Sequence, residues 1–236
     1  MRIILVDTRI SDSTERSLLK LGLDPIKLPP DRSLGEAVKS HPDTLLFCHK
    51  DNIITTADYC DDAAYIFSDI REYRPHIKIS FTSDVRVERY PMDAVMNGLV
   101  IGDILFCNTK NISQAIQDYA LSTGLSLVHT NQGYPACTVL SFSNRAITHD
   151  RGMADILEKN GIDTLLIEAG HISLPPHEYG FIGGASFVYG NRVCFFGNLD
   201  AHPDGARMRD FIQDGGFEVL SLSDEPLSDF GGAVIL

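Results

Sequence analysis

A chain of 236 residues with 44% hydrophobic residues can bury a substantial core, and a net charge of −12 disfavours nucleic acid and anionic membrane surfaces, both of which are held by clustered Lys and Arg. No apolar run reaches the ~18 residues of a membrane span, and MRIILVDTRISD lacks the long apolar stretch of a secretory signal. Five cysteines with no CxxC pair read as free thiols, so a cytoplasmic protein is expected, with homo-oligomerisation left open.

In chain order, the apolar patterning predicts a strand over Arg2–Val6, a helix over Glu15–Leu21 stopped by Gly22, and a strand over Pro25–Leu28. The next unit predicts strands at Thr44–Phe47 and Ile53–Thr56, a helix near Asp61–Ser68 and a strand at Ile77–Phe81. A third has Ala94–Gly102 and Ile104–Cys107 around the Gly102-Asp103 turn, then a helix in ISQAIQDYALSTG and a strand in LSLVHT. The fourth predicts Thr138–Phe142, Ala146–Thr148, a helix over Met153–Asn160 and Thr164–Glu168. The last predicts Ser186–Tyr189, Val193–Phe196, a helix over Ala206–Gln213 and Phe217–Leu222.

The hairpin turns at Asp51, Asp103, Asn144 and Asn191 recur at about 47 residues, which leaves room for five ββαβ units although four intact hairpins are visible. The fifth hairpin is split: GGAVIL at the C-terminus matches a first strand and MRIILVD a second. Pairing them closes a ring and removes its free edges. One domain over 1–236 is therefore expected.

The widest connections join each third strand to the next first strand: Pro29–Pro42, Thr82–Asp93, Thr130–Ala136, Ala169–Ala185 and Ser223–Ala233. They should gather on one face, where function is expected. His149-Asp150 and Asp200/His202/Asp204 follow second strands and are expected at the opposite end of the units.

This layout resembles the pentein superfamily of guanidino-modifying enzymes, an α/β five-bladed propeller built of ββαβ repeats. That family includes arginine and agmatine deiminases, dimethylarginine hydrolases, amidinotransferases and a non-catalytic ribosome anti-association factor. Its enzymes pair a Cys nucleophile with a His and with acids that grip the guanidinium. They mark these in Glu-Gly-Gly, His-x-Asp and C-terminal Gly-rich segments. Here DFGGAVIL keeps Gly231 and Gly232 but has Val234 near the position of the Cys, and GFIGGASF keeps Gly183 and Gly184 with Ile182 in place of the acid. GYPACTVLSF is similar to the nucleophile segment and offers Cys137, and HPDTLLF is similar to the His-x-Asp segment and offers His41 and Asp43. In family enzymes these two segments occupy consecutive units near the C-terminus, whereas here they lie two hairpins apart.

What the resemblance implies is a hydrolase or amidinotransferase acting on C–N bonds of a small cationic guanidinium or amidine compound. A guanidinium carbon is a poor electrophile, so it needs a thiolate attacker and carboxylates that hold the cation planar. Cys137 is the candidate nucleophile, because Cys48, Cys107 and Cys194 lie in apolar strands and Cys60 sits among acids. His129, His171 or His177 would relay protons, and Asp43, Asp93 or Glu168 would anchor the cation. The alternative is a non-catalytic pentein that senses a ligand or binds a protein. No cofactor is expected, since there is no P-loop and Phe181–Ser186 lacks dinucleotide spacing. No metal is expected either, because DAHPDG reads as a helix-capping turn.

Overall fold

The computed structural model describes residues 2–236. The first blade contains β1 (Arg2–Asp7), α1 (Asp12–Lys20) and β2 (Leu23–Leu28). The second has a helical turn α2 (Pro42–Leu45), β3 (Phe47–His49), β4 (Asn52–Thr56), α3 (Ala57–Asp62), α4 (Ala64–Tyr73) and β5 (Lys78–Thr82). The third has β6 (Leu99–Ile101), β7 (Ile104–Cys107), α5 (Gln114–Thr123) and β8 (Ser126–His129). The fourth repeats the second, with a helical turn α6 (Pro135–Thr138), β9 (Leu140–Phe142), β10 (Arg145–Thr148), α7 (Arg151–Lys159) and β11 (Asp163–Leu166). The fifth has β12 (Ser186–Tyr189), β13 (Arg192–Phe195), α8 (Gly205–Asp214) and β14 (Glu218–Ser221), and the chain finishes with β15 (Val234–Ile235).

Each blade is a three-stranded mixed sheet: the first two strands pair antiparallel, and the helix crosses over so that the third runs parallel to the second. The first blade obeys the same rule across the ends of the chain, with Ile4 opposite Ile235, Leu5 opposite Val234 and Arg2–Asp7 parallel to Leu23–Leu28. The split hairpin is thus present.

Local chemistry explains the elements. Ser11, Ser113 and Asp150 cap α1, α5 and α7 by accepting from backbone N–H groups, and Gly124 ends α5 at φ +78°, a conformation that favours glycine. Two predicted strand starts, Thr44 and Thr138, instead lie in the turns α2 and α6. Pro42 and Pro135 open those turns with a helical φ already set. The predicted strand Ala94–Gly102 shrinks to Leu99–Ile101, and the helix expected near Asp61–Ser68 is two helices, α3 and α4.

The core consists of five apolar clusters, each lying between neighbouring blades. Leu5, Leu28, Leu45 and Phe67 join blades one and two; Phe47, Ile54, Leu105 and Ile116 join two and three. Phe106, Ala146 and Leu157 join three and four, and Phe142, Ile147, Phe195 and Met208 join four and five. Ile4, Val6, Leu18, Phe187 and Phe196 close the circuit from five back to one. No helix among the described residues is long and apolar enough to cross a membrane.

The parallel pairing corrects one expectation. Thr148 lies opposite Leu166 and Phe195 opposite Ser221, so second and third strands end on the same face. His149-Asp150 and Asp200/His202/Asp204 therefore emerge beside the long connections, not at the opposite end. His149 stacks on Phe181 at 5.4 Å and meets Tyr179 edge-on, and the rings of His202 and His171 lie 5.3 Å apart.

Candidate active site

Each blade sends a short segment toward the ring axis just before its first strand, and hydrogen bonds link these segments in a closed circle. Asp43 N–H donates to the Gly231 carbonyl (3.2 Å), and the Asn97 amide donates to the Asp43 carbonyl (3.2 Å). Ala136 N–H donates to Asn97 Oδ1 (2.8 Å), Gly184 N–H to the Cys137 carbonyl (2.9 Å), and Gly232 N–H to the Gly184 carbonyl (2.9 Å). The approach is close enough to need glycines. A Cβ on Gly184 would collide with the Asp229 carboxylate, one on Gly183 with the Ala136 carbonyl, and one on Gly231, at φ +68°, with His41.

Inside this circle Cys137 Sγ donates to Asp43 Oδ2 at 2.6 Å, and Asn97 Nδ2 donates to Cys137 Sγ at 3.7 Å. His41 is fully buried, with Nε2 3.7 Å from Asp7 Oδ2 and Nδ1 3.8 Å from Asp229 Oδ1; neither nitrogen has a hydrogen-bond partner among the described residues. Asp229 accepts from Phe181 N–H and Gly231 N–H, each at 2.9 Å. Asp7 is held by Arg9, whose Nε and Nη2 grip both of its oxygens at 3.0 and 2.7 Å.

Burial sets the protonation states. It pushes the Cys137 thiol well above its ordinary range, and the neighbouring Asp43 charge adds to this. Burial, then the Asp229 charge, raises Asp43 to about 8, and burial raises Asp229 to about 6. His41 is driven well below its usual value by burial and then by Arg9, so the imidazole rests neutral. Thiol, imidazole and carboxyl offer ligand atoms within 4.8 Å of one another, a donor set that also suits a metal ion.

Cys137 and His41 form the floor of a cavity of about 680 Å³, walled by Gly35–Val38, Glu88, Tyr90, Asp93, Tyr134, Leu174, Pro176–Tyr179, Phe181 and Asp229. In its wall Asp93 Oδ1 is buried without a hydrogen-bond partner among the described residues. Tyr134 has its pKa raised by burial and then by the Asp93 carboxylate beside it.

Of the residues singled out from sequence, Cys137, Asp93 and His177 line the cavity, and Asp43 meets Cys137 from beneath. The others are engaged elsewhere. His129 Nδ1 bonds Thr109 Oγ1 at 2.9 Å, and His171 Nε2 faces Glu168 Oε1 at 3.4 Å; none of these three lines the cavity. The imidazole nearest the thiol is His41, in the His-x-Asp-like segment. Asn97, Asp229 and Asp7 also belong to the site, and no motif in the sequence marks them. Asp229 occupies the same repeat phase as Asp43 and Asp93, ahead of a first strand, and that phase was the signal available.

The model of a family of unknown function, DUF6873, matches residues 5–234. The chain belongs to this family. No curated protein matches this DUF6873 member in sequence. Its structure is similar to that of dimethylarginine dimethylaminohydrolase from Pseudomonas aeruginosa in complex with citrulline (TM-score 0.58, 13% identity, covering 94% of this chain and 92% of that one). It is also similar to an amidinotransferase of saxitoxin biosynthesis from Microseira wollei (TM-score 0.56, 12% identity, covering 93% and 76%) and to agmatine deiminase from C. jejuni (TM-score 0.54, 6% identity, covering 94% and 76%). The DUF6873 chain therefore has the pentein fold, and Cys137, His41 and Asp43 bring a thiol, an imidazole and a carboxyl within 4.8 Å of one another.

Proposed function

We propose that this protein hydrolyses a C–N bond of a guanidinium or amidinium compound through a covalent intermediate on Cys137. The observation that carries the reading is the Cys137–Asp43 hydrogen bond at the floor of a cavity whose wall holds an unpartnered Asp93 oxygen and the buried Asp229. A planar cation laid over Cys137 donates N–H groups to these carboxylates.

Its positive charge lowers the pKa of both groups beneath it, and the thiol proton passes to Asp43, whose affinity near neutral pH suits a base. Sγ then bonds to the guanidinium carbon, and the C–N bond to the leaving amine breaks as that amine takes up the proton, leaving an amidino-thioether. Water, deprotonated by neutral His41, attacks the same carbon. The C–S bond breaks, a urea-type product departs and the thiol is restored.

A second reading, a ligand-sensing protein without turnover, draws support from the resting thiol, which burial and Asp43 hold protonated. Alkylation kinetics separate the two. With 2-chloroacetamidine at neutral pH, the catalytic reading expects Cys137 to be modified at least about tenfold faster than a simple thiol, with protection by guanidines. Labelling no faster than that of a simple thiol, undiminished by any guanidine, overturns it.

A further inference from the structure

We infer that the ligand of this cavity carries no carboxylate and is cationic at both ends: a guanidinium or amidinium head over Cys137 and a second ammonium toward the mouth. The inference deepens the functional reading above and rests on it. Among the described residues, five carboxylates line the cavity, Glu36, Glu88, Asp93, Glu178 and Asp229, and no Lys or Arg does. They divide by depth. Asp229 is buried at 2% exposure and Asp93 carries a buried oxygen with no partner among the described residues, whereas Glu36, Glu88 and Glu178 are exposed. Glu36 pairs with Lys39 at 2.7 Å, which leaves Glu88 and Glu178 to face a distal charge.

Arg9 borders an adjoining depression that shares Glu36, Leu174 and Asp229 with the cavity. It is committed to Asp7 and to the Ala37 carbonyl (2.7 Å), so its charge is already matched. An amino-acid guanidine such as arginine would bring its carboxylate to the mouth beside Glu88 and Glu178, where like charges repel and the described lining holds no Lys or Arg to receive it. The tyrosines at positions 90, 134 and 179, with Phe181 and Leu174, give the span between the two charges an apolar, aromatic surface suited to an alkyl chain and to a cation.

Three guanidines test this, 4-guanidinobutylamine and 4-guanidinobutanoate with four-carbon chains and arginine, which carries its ammonium on the fourth carbon and a carboxylate beyond it. Binding is measured by calorimetry on the Cys137→Ser protein, and turnover by release of ammonia or amine from the wild type. The expected result is that the amine binds at least about a hundredfold tighter than the butanoate, with arginine between them, and that this margin shrinks as salt is raised. Glu88→Gln combined with Glu178→Gln should narrow the margin about tenfold. Equal binding of all three, or tighter binding of arginine or the butanoate, overturns the charge assignment while turnover of whichever binds still supports the hydrolase reading. Tight binding of the amine without turnover supports the assignment and removes the hydrolase. If no guanidine binds, both fall.

Discussion

Asp43 concentrates the physical chemistry of the site. It accepts from Cys137 and from Thr44 Oγ1 (3.2 Å), yet burial and the nearby Asp229 charge lift its pKa to about 8. The folded protein therefore holds protons on Asp43 and Asp229 that the unfolded chain, with carboxyls near 3.8, has released. Because the folded state binds the extra protons, stability falls as pH rises from about 4 through about 8. His41 acts at the other end, since a buried imidazole that resists protonation loses stability for the fold as pH drops below about 6.5. Asp43→Asn removes its own share of the alkaline loss. The variant's melting temperature relative to wild type should become more favourable from about pH 5 to about pH 9, in thermal melts at matched ionic strength. A difference that stays flat with pH would show that Asp43 is ionised throughout this range in the folded protein.

The helical turns α2 and α6 and the glycine-bearing segments before β12 and β15 exist to bring polar groups to an axis, and one amide joins two of them. Asn97 is fully buried and bonds Asp43, Ala136 and Cys137. Asn97→Ala would leave the half-buried Ala136 N–H and Asp43 carbonyl unpaired, a loss of about 1–3 kcal/mol, read as a lower urea midpoint with an unchanged slope. Its closeness to Sγ adds a second readout, a change in the alkylation rate of Cys137. This element was hard to see in the sequence. Asn97 lies in MNGLV, which patterns as the start of an apolar strand, and its role depends on three partners from other segments. Cys137 was legible because Gly-Tyr-Pro-Ala precedes it ahead of an apolar strand. His41 was legible only as half of a His-x-Asp match, because nothing local reveals that Asp7 and Asp229 flank it from other parts of the chain. His129 and His171 resemble His177 in sequence because each lies in or next to a long connection, but position along the chain does not say which way a ring turns.

The five-fold plan of the molecule was readable from hairpin turns and strand alternation, since these are local and repeat. The direction of the third strand was also implied by the helix before it, yet its consequence for His149 and His202 appears only when parallel pairing sets both strand ends on one face. Five inter-blade clusters of similar make-up mean that no single blade owns the core, so blade order around the ring matters more than the point at which the backbone starts. Leu236 N–H bonds the Ile3 carbonyl at 2.9 Å, so the two ends of the described chain are held as the arms of one hairpin. A circular permutant follows, with Leu236 joined to Arg2 through a short loop and the backbone opened between Gly102 and Asp103. That new opening lies at the tip of the hairpin from β6 to β7, on the face away from Cys137. The permutant should give a wild-type circular dichroism spectrum, a cooperative urea transition and wild-type Cys137 alkylation. In such a ring the beginning of the polypeptide is a matter of where it was cut, and the chemistry at the axis should not register the change.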